Sequence, residues 1–177
     1  MPNFILNINS KDDDLLEKDP QIQCCLLNTE MEENICLKIA EQLKKSSRIL
    51  LLTGKNALVW YKKLSADGVL ADLSSSSDIK KDILTLKTKL QSGVLGIICR
   101  NRRHEAMFAS ENNIDFIAFR VWNDGCAKTL ELTQWYNELF LLQMALIPSD
   151  EKVDFAVFPS DILILTPEQY KIFVAKK

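Results

Sequence analysis

The chain has 177 residues, of which 47% are hydrophobic and 26% charged, a globular composition that excludes wholesale disorder. Its 22 basic and 24 acidic residues give a formal charge of −2, without the basic excess typical of nucleic-acid-binding modules. No apolar run approaches the roughly 18 residues of a membrane span, and the first residues lack the basic region of a secretory signal. We therefore expect one cytoplasmic domain over residues 1–177, with neither nucleic acid nor membrane as a partner.

In chain order, short apolar runs alternate with amphipathic segments. The apolar runs of strand length are 4–8, 22–27, 49–53, 68–71, 94–99, 114–121, 141–148, 153–158 and 162–165. The segments with helical spacing of apolar residues are 30–45, 56–64, 79–90, 103–111, 130–140 and the stretch from Pro167 onward. Residues 1–20 are either a first strand followed by a polar linker or a tail.

Two helix starts carry the pattern of a capping box. Thr29 and Glu32 form it before the first helix, and Thr166 and Gln169 form it before the last, where a proline takes the first helical position. Only the four polar residues 149–152 separate two apolar runs, so no helix fits between them. The sequence therefore predicts that a helix is missing from the alternation at this point.

An aspartate followed by apolar residues recurs before three predicted strands. The units read ADGV, IDFI and VDFA, with Asp67, Asp115 and Asp154 at their second positions. Their spacings of 48 and 39 residues suit a β/α array that repeats every two units. The aspartates would lie at the N-terminal ends of their strands, the end that serves stability in a β/α barrel. We interpret all three as structural.

The cysteine and histidine content argues against a disulfide framework and against a metal site. Five cysteines are an odd number, and none of them forms the CxxC spacing of zinc sites. They are Cys24, Cys25, Cys36, Cys99 and Cys126. We interpret them as small buried residues in a reducing compartment. His104 is the single histidine, which excludes a histidine-based metal cluster, and no metal ligand is predicted.

Alternating strands and helices leave two architectures, an open doubly wound sheet and a closed β/α barrel. A full barrel usually needs about 200 residues or more, so length alone favours the open sheet. The sequence contains neither GxGxxG nor GxxxxGK[ST]. The fingerprints of Rossmann and P-loop nucleotide binding are therefore missing.

Several segments match motifs of a known barrel family. They are ADGVLA at 66–71, GII at 96–98, EA at 105–106, IDFIAF at 114–119, Lys128 and VDFAV at 153–157. Lys128 falls where the family carries the lysine of a TK motif. In these segments the chain resembles the thiamine phosphate synthase and TenI-like family.

The resemblance implies a β/α barrel of the TIM type, shortened and without one or two of its helices. It also implies an activity, in which a pyrimidine diphosphate condenses with a thiazole phosphate and diphosphate is released, with magnesium as cofactor. Arg100, Arg120 and Lys128 lie at or just after the C-terminal ends of predicted strands, which is the functional face of a barrel. They predict a pocket for a small phosphorylated ligand.

The family's metal and phosphate motifs are degenerate in this chain. The loop TGKNA at 53–57 has no aspartate, and the metal-binding aspartate after the fourth strand is lost or replaced by Asp72 or Asp78. No glycine turn follows Pro148 to bring backbone N–H groups to a phosphate. Three hypotheses stay open: an active synthase, a catalytically silent member without cofactor that serves as a binding, regulatory or oligomerisation module, and an unrelated α/β protein.

A helix missing between residues 148 and 153 would thin the barrel wall there. Exposed apolar strand surface would then need a cover. We therefore expect a homodimer across that gap, or the C-terminal helix folded over it.

Overall fold

The computed structural model describes residues 3–9, 19–150 and 153–175. The strands are β1 (Asn3–Ile8), β2 (Cys24–Asn28), β3 (Ile49–Thr53), β4 (Gly68–Asp72), β5 (Val94–Ile98), β6 (Phe116–Val121), β7 (Gln143–Pro148) and β8 (Ile162–Leu165). The α-helices in these ranges are α1 (Glu33–Lys45), α2 (Ala57–Lys63), α3 (Ile79–Leu90), α4 (Arg103–Ser110), α5 (Cys126–Leu139) and α6 (Pro167–Ala175). The expected first strand is β1, whereas most of the predicted linker after it lies outside the described residues.

The eight strands close into a parallel barrel. Each strand pairs with the next one along the chain, and β8 pairs with β1, with Ile5 in register with Ile164. The TIM-type barrel is therefore confirmed, and the open sheet is wrong. Strands of such a barrel are buried on both faces, which explains why they read as near-continuous apolar runs.

The barrel is short because the β7–β8 connection holds no α-helix in its described residues, only the 3₁₀ turn Phe155–Val157. The outer faces of β7 and β8 are nonetheless buried, with Met144, Leu146 and Leu163 each at most 1% exposed. Val153 and Phe158 of the β7–β8 connection and Tyr170 of α6 belong to the same buried cluster as these strand residues. Residues of the same chain thus cover the gap. The homodimer stays a prediction, but it is no longer needed to bury exposed apolar strand surface.

Side chains alternate along each strand between the barrel interior and the outer wall. The interior cluster consists of Ile5, Leu26, Leu51, Leu70, Ile98, Phe116, Ala118, Ala145, Ile162 and Ile164. Gly96 leaves the space that the Phe116 ring fills, since a Cβ at Gly96 would stand 2.2 Å from the ring. The interior is therefore a packed core, and chemistry is confined to the ends of the barrel.

Aspartates tie strands together at the N-terminal rim. Asp67, Asp115 and Asp161 each precede an even-numbered strand, and each accepts a hydrogen bond from a backbone N–H of the strand before it, at 2.8, 2.7 and 2.9 Å. The structural interpretation of Asp67 and Asp115 is confirmed. The placement of Asp154 at the start of a strand is wrong, because residues 153–158 contain no strand and Phe155–Val157 form a 3₁₀ turn over the outer wall. Asp161, directly before β8, takes that place.

Of the two predicted capping boxes, only the last one forms. The N–H of Thr166 donates to Gln169 Oε1 at 2.9 Å, and the N–H of Gln169 donates to Thr166 Oγ1 at 3.3 Å. Thr29 is wrong as a cap, because its hydroxyl donates to the carbonyl oxygen of Thr53 at 2.8 Å and α1 begins only at Glu33. A tertiary contact with β3 thus replaces the local cap.

Candidate functional site

A cavity of about 470 Å³ opens at the C-terminal ends of the strands. In β/α barrels, active sites are built at this end from the loops that follow the strands. The volume falls within the range of small-molecule sites, about 300–1,000 Å³. This mouth of the barrel is therefore the candidate site.

The mouth is polar on one side and apolar on the other. The residues of β1 to β4 that line it near the strand ends are Asn7, Asn28, Thr53 and Asp72. The corresponding residues of β5, β7 and β8 are Ile98, Ile147 and Ile164. In an eight-stranded barrel β3 and β4 stand opposite β7 and β8, so the polar and apolar halves face each other across the cavity.

An ion pair joins β6 to the polar half of the mouth. Arg120 Nη2 on β6 donates to Asp72 Oδ2 on β4 at 2.8 Å, passing over the end of β5. The N–H of Ser74 donates to Asp72 Oδ1 at 3.0 Å. Partial burial acts to raise the pKa of Asp72, but the hydrogen bonds from Ser74 and Arg120 outweigh it and leave the pKa below its usual value. Asp72 is therefore ionised at neutral pH and fixes the guanidinium of Arg120.

Lys55 supplies the second cation that lines the cavity. It follows Gly54, whose φ of +98° favours glycine and at which a Cβ would stand 2.9 Å from Asn28 Oδ1. The loop after β3 therefore packs closely on the end of β2. Lys55 forms no ion pair with any residue in the described ranges. Sequence reasoning missed it, although its place directly after a strand-ending glycine was a usable signal.

Of the three residues predicted to bind phosphate, the fold brings only Arg120 to this cavity. Arg100 Nε lies 2.7 Å from Oε1 of Glu105, a carboxylate that is 2% exposed. Arg100 lines a separate groove together with Phe108. Lys128 is exposed on the first turn of α5. Phosphate binding stays a prediction for each of the three residues. Arg120 differs from Arg100 and Lys128 because it lines the cavity at the mouth of the barrel.

Side chains close the β8 side of the mouth, although barrels commonly bind phosphate near the loops after the seventh and eighth strands. Gln169, itself 7% exposed, accepts from the N–H of Thr166 and donates from Nε2 to the carbonyl oxygen of Pro148 at 3.3 Å. The N–H groups of Thr166 and Gln169 therefore already have partners. The two cations of the cavity come from β6 and from the loop after β3, away from this side.

The mouth departs from the magnesium site that the family resemblance implies. The described residues contain no group of three or more acidic, histidine or cysteine side chains placed to hold a metal ion. Asp78, one candidate replacement for the family's aspartate, caps α3 by accepting from the N–H of Lys81 at 3.0 Å. Asp72, the other candidate, is engaged by Arg120. Glu30, in the loop after β2, is the other carboxylate among the described residues that line the cavity. Mg²⁺ is usually bound through one or two carboxylates together with substrate phosphates, so an ion here would depend on Glu30 and on the release of Asp72 from Arg120.

Two of the cysteines, Cys24 and Cys99, are poor nucleophiles at neutral pH. Cys25, Cys36 and Cys99 are buried free thiols. Burial, the largest cause in both, raises the pKa of Cys24 and Cys99 to about 12. Because the thiolate is the reactive form, these two side chains act as packing groups.

Comparison with solved structures shows the same barrel in several enzymes. A variant of the citrate synthase SbnG has a TM-score of 0.65 at 9% identity, covering 99% of this chain and 90% of that chain. The 3-hexulose-6-phosphate synthase from Salmonella typhimurium has a TM-score of 0.64 at 13% identity, covering 93% and 88%. Thiamine phosphate pyrophosphorylase from Bacteroides thetaiotaomicron has a TM-score of 0.58 at 10% identity, covering 97% and 85%. At these identities the likeness establishes the fold alone.

Sequence comparisons add no family to this result. No protein-family model matches the chain, and no curated protein is significantly similar to it. No helix in the part of the chain that the structure describes is long and apolar enough to cross a membrane. The comparisons thus support a TIM-barrel-like fold, and none of them adds sequence evidence for the thiamine phosphate synthase family.

Proposed function

We propose that this chain is a binding or regulatory barrel that takes a small phosphorylated ligand at its C-terminal mouth and does not turn it over. The observation that carries the proposal is the cavity with Arg120 and Lys55 among its lining residues. Charge-assisted hydrogen bonds from arginine and lysine are the usual means of holding a phosphate. Arg120 donates to Asp72 through Nη2, and a guanidinium has five N–H donors, so others remain for a ligand.

The absence of turnover is argued from the carboxylates. Metal-assisted release of diphosphate needs acidic ligands for the ion and cations for the leaving charge. Among the described residues that line the cavity, the carboxylates are Asp72, which is paired with Arg120, and Glu30 in the loop after β2. A magnesium ion would have to compete with that arginine for Asp72.

Thiamine phosphate synthase activity is the second candidate function. It is favoured by the structural neighbour that is a thiamine phosphate pyrophosphorylase and by the place of Asp72 at the end of β4. In this candidate, Arg120 would receive the diphosphate charge and magnesium would be required. The two candidates differ in their metal dependence and in product formation.

The test is isothermal titration of the whole protein with pyrophosphate and with a thiazole phosphate, each with and without magnesium. We expect saturable binding that does not need the metal. Arg120→Gln should weaken it about ten- to hundredfold, the loss of one charged hydrogen bond of about 1.5–3 kcal/mol. Lys128→Ala is the matched control and should leave the affinity unchanged, since Lys128 lies on the outer helix.

The outcomes separate the candidates. Binding that requires magnesium, together with release of diphosphate in a coupled assay, would establish the enzyme and refute the silent module. Binding lost in Lys128→Ala but kept in Arg120→Gln would place the site outside this cavity. No heat at millimolar concentrations of either ligand would refute phosphate binding by the mouth.

A further inference from the structure

The two halves of the mouth suggest how a ligand would be oriented. The polar half contains Lys55, Glu30, Asp72 and the guanidinium of Arg120, which the ion pair brings to the β4 side. Asp72 is engaged by Arg120, so the remaining donors of Arg120 and the ammonium of Lys55 are the cationic groups that can meet a phosphate. The apolar half, opposite to it, contains Ile147 and Ile164. A ligand that spans the cavity therefore meets these two cations beside Glu30 at one end and branched aliphatic side chains at the other.

We propose that the ligand is a phosphate ester with an apolar body, bound with its phosphate on the β3–β4 side and its body against Ile98, Ile147 and Ile164. This inference rests on the proposed function and adds the ligand class and its direction. The phosphate end is then opposite to the β7–β8 side at which barrels commonly hold phosphate.

Three observations argue against the reverse orientation. The N–H groups of Thr166 and Gln169 on the β8 side are already bonded to each other's side chains. The Nε2 of Gln169 donates to Pro148. Ile147 and Ile164 offer no hydrogen bond to an anion, and a phosphate beside them would lose its hydration without compensation.

The class of body follows from the same isoleucines. A polyhydroxylated body of a sugar phosphate would leave its hydroxyls unpaired against Ile147 and Ile164, which costs affinity. Each methylene that moves from water into apolar surroundings improves binding by about fourfold, the equivalent of 0.8 kcal/mol. Aliphatic phosphates of growing length should therefore bind progressively more tightly until the cavity is filled.

The probes are methyl phosphate, propyl phosphate and glycerol phosphate, the last two being close in size and different in hydroxyl content. Titration calorimetry on the whole protein should rank propyl phosphate first, at least about tenfold tighter than glycerol phosphate. Ile147→Asn should reduce this ratio to near one and leave methyl phosphate binding unchanged. Val59→Asn, a substitution at a 75% exposed position of α2, is the matched control and should preserve the ratio.

Lys55→Met tests the direction of the ligand. It should weaken all three phosphates by the same factor of about ten or more, because it removes a charge from the phosphate end. Far-ultraviolet circular dichroism of each variant establishes that the barrel is folded.

Each outcome bears on one of the two claims. Equal affinity for propyl and glycerol phosphate, or tighter binding of the latter, overturns the apolar body while phosphate binding itself stands. Unchanged affinity in Lys55→Met together with an altered affinity in Gln169→Leu reverses the direction and overturns the inference. If none of the three phosphates binds, both the proposed function and this inference are refuted.

Discussion

Asp161→Ala tests the aspartates that tie neighbouring strands together at the N-terminal rim. Asp161 Oδ2 accepts a hydrogen bond from the N–H of Met144 at 2.9 Å, and the N–H of Asp161 donates back to the carbonyl oxygen of Met144 at 3.0 Å. The carbonyl oxygen of Asp161 also accepts from Asn3 on β1. The residue thus joins β7, β8 and β1, and the substitution removes only the carboxylate bond.

The expected cost is that of one charge-assisted hydrogen bond at the rim. Such bonds contribute about 1.5–3 kcal/mol, and the exposed position of Asp161 places the loss near the lower end, about 1.5 kcal/mol. For a chain of this length that corresponds to a decrease in Tm of roughly 3–6 °C. Asp161→Asn keeps a neutral acceptor and should lose about half as much.

The assay is urea unfolding followed by far-ultraviolet circular dichroism, with Asp124→Ala as the matched control. Asp124 is exposed in the 3₁₀ turn Asn123–Gly125, and its substitution should change the free energy of unfolding by less than about 0.5 kcal/mol. The reasoning is refuted if Asp161→Ala unfolds at the wild-type urea concentration, or if Asp124→Ala is the more destabilising of the two.

Three further predictions concern the core and the ion pairs. Gly96→Ala should lower the free energy of unfolding by about 1–3 kcal/mol, because its Cβ would stand 2.2 Å from the Phe116 ring, and the combination with Phe116→Leu should recover part of the loss in the same urea assay. Glu105→Gln should lower the Tm through a loss of about 1–3 kcal/mol, because a 2% exposed carboxylate pairs with the half-exposed Arg100; an unchanged Tm would contradict this. Asp72 has a pKa below its ordinary value of 3.8, so its contribution to stability is present above about pH 4 and is lost as the pH falls further. Asp72→Asn should therefore make the Tm less sensitive to acid. The measurement is the Tm of both proteins between pH 7 and pH 3.

Much of the fold could be predicted because its signals are local. Apolar runs and helical spacings located the elements to within a few residues, and the capping box of Thr166 and Gln169 formed as its sequence pattern indicates. The β/α barrel came from the resemblance, since the chain length favoured an open sheet. The apolar run 153–158 was wrongly predicted as a strand because its composition is that of a strand, while Phe155–Val157 within it form a 3₁₀ turn that covers the outer wall.

The candidate site was only partly predictable, because it depends on which side chains point inward. Arg120 reaches the mouth because it follows the inward-facing Phe116 and Ala118 at intervals of two. Arg100 lies beyond the end of β5, where the buried Glu105 holds it away from the cavity. Both arginines follow inward-facing residues at an interval of two, Ile98 for Arg100 and Ala118 for Arg120. They differ because Arg120 lies within β6, whereas Arg100 lies beyond the end of β5 and has a buried partner.

By itself, the sequence determined the alternation of strands and helices, the lack of an α-helix in the described part of the β7–β8 connection and the structural role of Asp67 and Asp115. These follow from hydrophobic periodicity, from the short spacing between apolar runs and from a recurring aspartate before a strand. Only the tertiary structure decided that the barrel closes and that Lys55, Asp72 and Arg120 line one cavity. It also decided that isoleucines stand opposite the polar half of this cavity. These features join residues far apart in the chain, and their geometry is set by the stagger and curvature of eight paired strands, which no local pattern encodes.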